Sequence, residues 1–412
     1  MTKKPPIHAP MIQFKTEHNC LLIGGIPLTR LALRVGQTPF YAYDRTLISE
    51  RVALLRDKLP DALHIHYAMK ANPMPAVVQH LAGIVDGLDL ASQGEMQVAL
   101  DTTMAVKNIS MAGPGKRPEE LAAAIAAGIT VNAESFSELE QLASQSEKTG
   151  YPAQVAIRIN PAFELKASGM KMGGGAKQFG IDEERVPDAL RRIKTLGLNF
   201  VGLHIYSGSQ NLSAESIAET QKQAVELALR LAPDYPQPIT KLNIGGGFGI
   251  PYFPGEQPLK LEYVGEKMAT LCAKVKSELG TSAHLVIELG RYIVGEAGIY
   301  VCRIVDRKIS RGQIFLITDG GLNHHLAASG NFGQIIRKNY PVAIGNKMTD
   351  DQPEIASVVG PLCTPLDLLA DKMQLSRAEV GDLVVVFQSG AYGYTASPHR
   401  FLSQPEAVEV FV

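Results

Sequence analysis

The chain has 412 residues, of which 45% are hydrophobic and 20% are charged, and its formal net charge is -1. This length and composition predict a globular protein with room for two domains, and the near-zero charge disfavours a polyanionic partner. The sequence shows no basic run with interleaved aromatic residues, so we expect no nucleic-acid partner.

The N-terminal stretch MTKKPPIHAPMIQF carries two lysines but no apolar run behind them. It therefore predicts neither a signal peptide nor a membrane anchor, and we expect a cytoplasmic location. The four cysteines, Cys20, Cys272, Cys302 and Cys363, are far apart and show no CxxC spacing. We expect no metal site and no disulfide framework, so any cysteine with a special role would be a reactive thiol.

Apolar-alternating runs and helix-like segments follow one another from residue 62 to residue 289. The segments between the runs, such as 117–128 and 214–232, are rich in Ala, Leu, Glu and Lys. This alternation favours parallel strands with helical crossovers, and eight strands over about 250 residues favour a (β/α)8 TIM-like barrel over a doubly wound open sheet. The predicted strands are 62–69, 84–90, 107–112, 129–133, 153–159, 199–206, 240–245 and 284–289.

From about residue 300 the sequence changes to β-rich runs with turns, such as GIYVCRIVDRKIS and GDLVVVFQSG. These runs predict a second, all-β domain, a β-sandwich or β-barrel. The predicted fold class of the whole chain is therefore α/β plus all-β. The segment CLLIGGIPLTRLALRVGQTPFYAYD also begins like a strand. We therefore predict an N-terminal segment, 1–42, that joins the β domain, a barrel over 43–297 and a C-terminal β domain over 298–412.

Alternate residues of a barrel strand face the lumen and the surrounding helices. In the run 62–70 the apolar residues share one face, which leaves Lys70 on the other face. The same alternation sets Arg158, His204 and Glu288 opposite apolar neighbours. We predict that these polar side chains point inward near the carboxyl ends of the strands, where barrel enzymes assemble their sites.

The stretch HIHYAMKANP ends the first predicted strand with Lys70, and we expect its ammonium to be buried. A desolvated lysine loses its charge readily and can form a Schiff base with an aldehyde. The ordinary alternative is a structural lysine whose stem packs while its amine reaches solvent.

Glycines and polar groups follow three further predicted strands. In NIGGGFG, three consecutive glycines allow backbone N–H groups to cradle a phosphate, although such turns between strand and helix are common. In ELGR, Glu288 and Arg291 either form an ordinary ion pair or have separate roles. In the second case Glu288 is a carboxylate partner for a pyridinium nitrogen, and Arg291 contacts an anion. In HIYSGS, His204 is either a satisfied core residue or a flat ring that stacks on a cofactor, and Ser207 offers a hydroxyl to a phosphate.

Taken together, the motifs YAMKAN, DLASQGE, HIYSGS, GGGFG, ELGR, GPLCTPLD and SGAYGY are more specific than any one of them. Their order and spacing resemble the alanine-racemase-like barrel decarboxylases that use pyridoxal phosphate, a family that includes diaminopimelate, ornithine and arginine decarboxylases. The chain looks closer to the diaminopimelate branch. Within it, GPLCTPLDLLA looks most like a bacterial subgroup associated with exosortase systems and like relatives that decarboxylate carrier-protein-bound amino acids.

The resemblance implies pyridoxal phosphate as the cofactor and a role for each matching residue. Lys70 resembles the Schiff-base lysine, Asp89 a residue that supports it, and His204 the ring-stacking histidine. Glu288 resembles the partner of the ring nitrogen, and Cys363 the general acid that the other subunit of a homodimer supplies. Residues that resemble cofactor, phosphate or carboxylate contacts are Arg158, Ser207, Gly245, Gly246, Gly247, Gly290, Arg291 and Tyr392; Arg291, Cys363, Thr364 and Tyr392 would also contact the substrate.

We therefore predict a decarboxylase that removes the α-carboxylate of a free or carrier-bound amino acid. The alternatives are a diaminopimelate decarboxylase proper, a racemase of the same barrel class, and a non-catalytic pyridoxal-phosphate carrier. A racemase of this class pairs the ring nitrogen with arginine, so Glu288 argues against it. A carrier would keep the barrel alone, so the β domain argues against that reading.

The substrate prediction rests on departures from the family. Thr364 stands where the diamino-acid decarboxylases carry an acidic residue, and a hydroxyl cannot neutralise a substrate's distal ammonium. The segment 318–334 lacks the arginine and tyrosine pattern that grips a far carboxylate, and offers Asn323, His324 and His325 instead. We expect diaminopimelate, lysine and ornithine to be poor substrates, unless Asp319 or Asp367 replaces the missing carboxylate.

Overall fold

The computed structural model describes residues 7–164, 169–171, 173–334, 336–349 and 353–412. The chain forms two compact units. The barrel unit comprises Arg51–Ile250 and Leu259–Gly290, and the β unit comprises Met1–Glu50, Pro251–Pro258 and Arg291–Val412. The domain boundaries predicted at residues 43 and 297 stay predictions.

The barrel unit contains a closed ring of eight parallel strands, so the predicted (β/α)8 barrel is confirmed. The first strand pairs with the second on one side and with the last on the other, where Glu288 lies opposite His66. Each of the eight predicted strands overlaps an observed one. The barrel strands are Leu63–Ala68, Gly87–Leu90, Ile109–Met111, Thr130–Ala133, Gln154–Asn160, Asn199–Ile205, Lys241–Gly246 and His284–Leu289. Short strands at Met170–Lys171, Ile181–Asp182 and Gly208–Ser209 lie in the loops.

Helices follow the barrel strands because the connecting sequences carry start signals and an apolar stripe. Ser92, Ser135 and Ser213 each accept, through the hydroxyl, a backbone N–H three residues on, at 3.1–3.2 Å. The longest helices, Ala214–Leu231 and Leu261–Leu279, bury only the face that packs on the strands. Other α-helices are Leu28–Val35, Arg45–Lys58, Pro75–Ala82, Gln93–Leu100, Pro118–Ala127, Phe136–Thr149, Val186–Leu196 and Arg291–Val294. Within the described ranges, no helix combines the length and apolar character needed to cross a membrane.

The β unit is built on a mixed sheet around its longest strand, Gly298–Ser310. Strand Phe40–Tyr43 pairs antiparallel with this strand and parallel with Val408–Phe411, so both ends of the chain contribute to the same sheet. A core of fully buried side chains, among them Leu28 and Val385, packs on one face of the sheet. The predicted second, β-type domain is therefore confirmed. Its other strands are Thr16–Glu17, Cys20–Ile23, Ile26–Pro27, Gln313–Thr318, Val342–Ile344, Glu354–Val359, Leu368–Leu375 and Leu383–Val386.

Candidate active site

Lys70 lies on a single 3-10 turn, Met69–Ala71, directly after the first barrel strand. The backbone N–H of Asn72 donates to the Met69 carbonyl at 3.0 Å, and the Tyr67 hydroxyl donates to the Asn72 carbonyl at 2.8 Å. The strand thus ends at Ala68, and the turn, not the strand alternation, orients Lys70. The lysine still lies at the carboxyl end of the barrel, as predicted.

The Lys70 amine faces a carboxylate and an aromatic ring. Its Nζ atom is 3.7 Å from Glu288 Oε1 and 5.3 Å from the centre of the Tyr206 ring. The Lys70 side chain is 43% exposed in this single chain, so the expectation of a buried ammonium is wrong here. An exposed amine at the carboxyl end of the strands is accessible to an aldehyde from solvent.

Glu288 is buried in the barrel and surrounded by donors. Nε2 of His204 lies 2.8 Å from Glu288 Oε2, and Asn243 Nδ2 donates to the same oxygen at 3.3 Å. Because an ionised carboxylate only accepts hydrogen bonds, Nε2 of His204 carries the hydrogen. Burial alone would raise the pKa of Glu288, but His204, Lys70 and Arg158 outweigh it and hold that pKa well below its usual range. Glu288 therefore stays ionised at neutral pH.

Asn243 is a lumen residue that the sequence prediction missed. Its side-chain Oδ1 accepts the backbone N–H of Gly245 at 2.8 Å, which fixes the amide so that Nδ2 faces Glu288. The signal was present in the sequence, since Asn243 alternates with the apolar Leu242 and Ile244. Applying the same alternation to this strand would have found it.

The glycine turn after the seventh barrel strand is packed too tightly for side chains. Gly245 has φ +69°, and a Cβ on Gly246 would lie 2.3 Å from the backbone oxygen of Glu288. Gly247 also has a positive φ, +75°. Only glycines fit this turn, which holds its backbone close to the end of the last strand.

Two other predicted contact residues lie nearby in the barrel unit. A Cβ on Gly290 would lie 2.8 Å from the Ala71 side chain, so Gly290 allows the last strand to approach the turn that carries Lys70. Ser207, after the sixth strand, is buried at 7% exposure.

Asp89 is the centre of a hydrogen-bond chain across the first four strands. Its Oδ1 atom accepts from the Ser110 hydroxyl at 2.5 Å and lies 3.3 Å from His66 Nδ1. Asn132 Nδ2 in turn donates to Ser110 at 3.2 Å. The other oxygen, Oδ2, is buried and has no hydrogen-bond partner within the described ranges. One oxygen of Asp89 therefore has fixed partners, and the other has none among the described residues.

Arg158 forms a buried ion pair with Glu134, a residue that the sequence prediction missed. Arg158 Nη1 is 2.8 Å from Glu134 Oε1, and the two side chains are 7% and 2% exposed. Glu134 also accepts the backbone N–H groups of Gly113 at 2.6 Å and Gly180 at 3.2 Å. One carboxylate thus holds Arg158 and ties together loops that follow the third, fourth and fifth strands.

In the β unit, Arg291 is enclosed by tyrosines. Its Nη1 donates to the Tyr252 hydroxyl at 2.8 Å, and its guanidinium lies 4.8 Å from the centre of the Tyr392 ring. Burial alone would lower the pKa of Arg291, but Tyr252, Tyr392 and Tyr340 outweigh it and raise that pKa further. The Nε–H is buried without a partner among the described residues. Arg291 is a permanently charged donor, and Tyr252 is a further residue that the sequence did not single out.

Cys363 is exposed, whereas Cys20, Cys272 and Cys302 are buried. Cys363 is therefore not a buried structural cysteine. Its neighbour Thr364 accepts, through Oγ1, the backbone N–H of Leu366 at 3.3 Å.

The polar residues expected to replace the missing substrate contacts are buried inside the β unit. Asn323, His324 and His325 are at most 1% exposed. His324 Nε2 lies 2.7 Å from the Pro405 carbonyl, and His325 Nε2 lies 2.9 Å from Ser389 Oγ. Their burial does not support the expectation that these side chains are offered to a substrate, and that expectation stays a prediction.

The barrel unit fits pyridoxal phosphate. Lys70 provides an accessible amine for an aldehyde, and Glu288 is an ionised carboxylate for a protonated ring nitrogen. His204 Nδ1 and Asp89 Oδ2 are buried polar atoms without partners among the described residues, as expected where a polar ligand binds. Gly246 and Gly247 carry no side chains that would keep a phosphate away from their backbone N–H groups.

Comparison with known proteins supports the same cofactor. Residues 45–295 match the model of the pyridoxal-dependent decarboxylase family, pyridoxal binding domain. The chain is 35% identical to the L-glutamyl-[BtrI acyl-carrier protein] decarboxylase of Niallia circulans, covering 91% of this chain and 88% of that protein. It is 33% identical to the diaminopimelate decarboxylase of Aquifex aeolicus, covering 95% and 90%.

Among solved structures, the crystal structure of diaminopimelate decarboxylase from M. jannaschii superposes with a TM-score of 0.86 at 25% identity, covering 97% of this chain and 92% of that one. Its fold agrees with the barrel and β units described above. Together with the match over more than half of the chain, these similarities assign the reaction class. The chain belongs to the pyridoxal-dependent decarboxylases, carboxy-lyases that use pyridoxal phosphate.

Proposed function

We propose that Lys70 is the residue that holds the cofactor and that Glu288 sets its electronic state during removal of an α-carboxylate. The observation that carries this proposal is the buried Glu288 carboxylate, ionised through His204, with the Lys70 amine 3.7 Å away. Pyridoxal phosphate, when bound, supplies an electron sink for the pair left behind when CO2 departs. Glu288 would hold a proton on the ring nitrogen of the bound cofactor by accepting its hydrogen bond, and this would strengthen that sink.

The remaining barrel residues position these two groups. His204 and Asn243 hold Glu288 in place through hydrogen bonds at 2.8 and 3.3 Å. The face of the His204 ring is proposed to stack on the cofactor, and Asp89 to support Lys70. Ser207, Gly246, Gly247 and Gly290 are proposed as donors to phosphate or carboxylate oxygens, with Gly245 shaping the turn, and Arg158 is proposed as a further cofactor contact. In the β unit, Arg291 is proposed as another donor to these oxygens.

Cys363 is proposed to return a proton to the α-carbon once CO2 has left. A thiol suits this step because it exchanges its proton close to neutral pH, and Cys363 is exposed on its unit. We further propose that the enzyme is a symmetric homodimer in which Cys363 of one subunit serves Lys70 of the other.

Subunit mixing tests this shared arrangement. We expect Lys70→Ala and Cys363→Ala proteins to keep only a small residual activity alone, and a mixture that exchanges subunits at random to regain about a quarter of the wild-type sites. The recovered sites are those in mixed dimers that receive both native residues. Activity is measured after subunit exchange has been verified by mass-tagged subunits. Verified exchange without any recovery would contradict a site shared between subunits.

For the substrate, we propose an amino acid whose distal end is neutral or masked, including one tethered to a carrier protein. Thr364 cannot neutralise a distal ammonium, and an unpaired buried ammonium costs several kcal/mol, on the order of 3–5. The N. circulans relative, whose name gives a carrier-bound glutamyl substrate, supports this class. The second candidate is free diaminopimelate, which the A. aeolicus relative favours.

The two acids considered as replacements for the missing carboxylate are already engaged in the β unit. Asp367 is 3% exposed and accepts two backbone N–H groups. Asp319 accepts the Thr38 hydroxyl and the backbone N–H of Arg303. These contacts support a substrate without a free distal ammonium.

Steady-state CO2 release separates the two candidates. We expect kcat/KM for a glutamyl-carrier conjugate to exceed that for free diaminopimelate, lysine and ornithine by at least about tenfold, or roughly 1.4 kcal/mol. Thr364→Asp should narrow this ratio by improving the free diamino acids, whereas Thr364→Val should not. A high kcat/KM for free diaminopimelate that survives in Thr364→Val would exclude the masked-end substrate.

A further inference from the structure

The segment 360–367, which we call the cysteine loop because it carries Cys363, is organised around one buried carboxylate. Asp367 Oδ2 accepts the backbone N–H of Leu362, the residue before Cys363, at 2.8 Å. Its Oδ1 atom accepts the backbone N–H of Leu322 at 2.6 Å. The main chain closes the same loop, since Asp367 N–H donates to the Thr364 carbonyl at 3.2 Å and Gly360 N–H donates to the Asp367 carbonyl at 3.1 Å.

Two glycines make room for this carboxylate. A Cβ on Gly321 would lie 2.1 Å from Asp367 Oδ1, and a Cβ on Gly360 would lie 2.3 Å from Asp367 Oδ2. Both distances are far below a van der Waals contact, so any side chain at either position would push the carboxylate away. The carboxylate therefore occupies a single position, between the cysteine loop and the turn after strand Gln313–Thr318.

The buried environment makes these hydrogen bonds consequential. Asp367 is 3% exposed, while Cys363, four residues earlier, is exposed. A buried carboxylate that lost one of its donors would be left partly unsatisfied, which costs more than the same loss at the surface. The backbone just before the thiol is therefore held by a carboxylate that does not itself face solvent.

We propose that Asp367 is a positioning residue for Cys363: it fixes the cysteine loop so that the thiol is held in one place. This inference rests on the proposed role of Cys363 as proton donor. It assigns Asp367 a task other than meeting the substrate's distal ammonium, because both of its oxygens are used by the backbone. Loosening the loop should slow the proton-return step and leave substrate binding almost unchanged.

The test uses Asp367→Asn, which keeps the shape but turns one acceptor oxygen into an NH2 group facing a backbone donor. We expect kcat of the cofactor-loaded enzyme to fall about ten- to a hundredfold with KM nearly constant, as a displaced reacting group predicts. Amide hydrogen exchange at Leu362 and Leu322, measured on the same protein, should become faster. The matched control is Asp371→Asn, an exposed carboxylate on strand Leu368–Leu375 that lies 3.3 Å from Ser357 Oγ; it should change neither quantity.

A double-mutant cycle distinguishes positioning from general stability. If Asp367 acts through the thiol, Asp367→Asn should not lower further the residual kcat of Cys363→Ala. An additive loss, or a wild-type kcat in Asp367→Asn, would overturn the proposal. A Cys363→Ala protein with full activity would instead overturn the proposed proton donor, while the exchange result at Leu362 still reports on the loop. Should Asp367→Asn fail to fold, Gly321→Ala displaces the same carboxylate and carries the same expectations.

Discussion

Replacing Lys70 with alanine is expected to lower kcat for decarboxylation by about a thousandfold, the scale on which a positioned acid, base or nucleophile contributes. The loss arises because no other amine among the described residues lies beside Glu288 in the way that Lys70 does, at 3.7 Å. Borohydride treatment of the wild-type protein, followed by peptide mapping, should find the cofactor attached to Lys70. The alanine protein should bind pyridoxal phosphate only reversibly.

Lys70→Arg is the informative companion to this variant. Arginine keeps a cation next to Glu288, but its guanidinium stays protonated and cannot attack an aldehyde. If Lys70 served only to balance the Glu288 charge, the arginine protein would retain most of its activity. We expect it to be as inactive as the alanine protein. A reducible covalent adduct in Lys70→Ala would show that another amine holds the cofactor.

Glu134→Gln is expected to reduce the free energy of unfolding by about 3–5 kcal/mol, the usual cost of breaking a buried ion pair from one side. The substitution leaves the Arg158 guanidinium, 7% exposed, without its carboxylate 2.8 Å away. It also weakens the acceptor shared by the N–H groups of Gly113 and Gly180. Urea unfolding followed by circular dichroism measures the difference.

The pH dependence of the free energy of unfolding provides a second test of the same ion pair. Burial alone would raise the pKa of Glu134, but Arg158 and Lys116 outweigh it, and the pKa is lowered. A lowered folded pKa means that the stabilisation is present above the ordinary glutamate pKa, about 4.3, and is lost as pH falls through the folded value. The difference in free energy of unfolding between wild type and Glu134→Gln should therefore be constant near neutral pH and shrink below about pH 4.

A matched glutamate–arginine pair at the surface serves as the control. Glu140 accepts hydrogen bonds from the guanidinium of Arg192 at 2.5 and 2.7 Å, but both side chains are more than 40% exposed. Water and salt screen such a pair, so Glu140→Gln should leave the free energy of unfolding nearly unchanged. Equal effects of the two substitutions would show that burial does not give the Glu134–Arg158 pair its importance.

The sequence by itself determined the architecture and identified several of the residues that line the lumen. Strands buried on both sides keep a period of two, and helices between them keep an apolar stripe, so eight strand–helix units could be counted directly from residue types. That period also identified Arg158, His204 and Glu288 as lumen residues. The motif order, from YAMKAN to SGAYGY, indicated the family and its cofactor, which the comparisons confirm.

Only the tertiary structure decided which of these groups meet. His204 and Glu288 are 84 residues apart in sequence. Their 2.8 Å contact, which helps to keep Glu288 ionised, exists because both of their strands pair with strand Lys241–Gly246. Lys70 owes its orientation to a turn that strand alternation does not describe. Glu134 and Asp367 act through backbone N–H groups of distant loops, and backbone donors carry no residue-specific signal in a sequence. Contacts of this kind depend on where the chain folds back on itself, so composition and periodicity could not predict them.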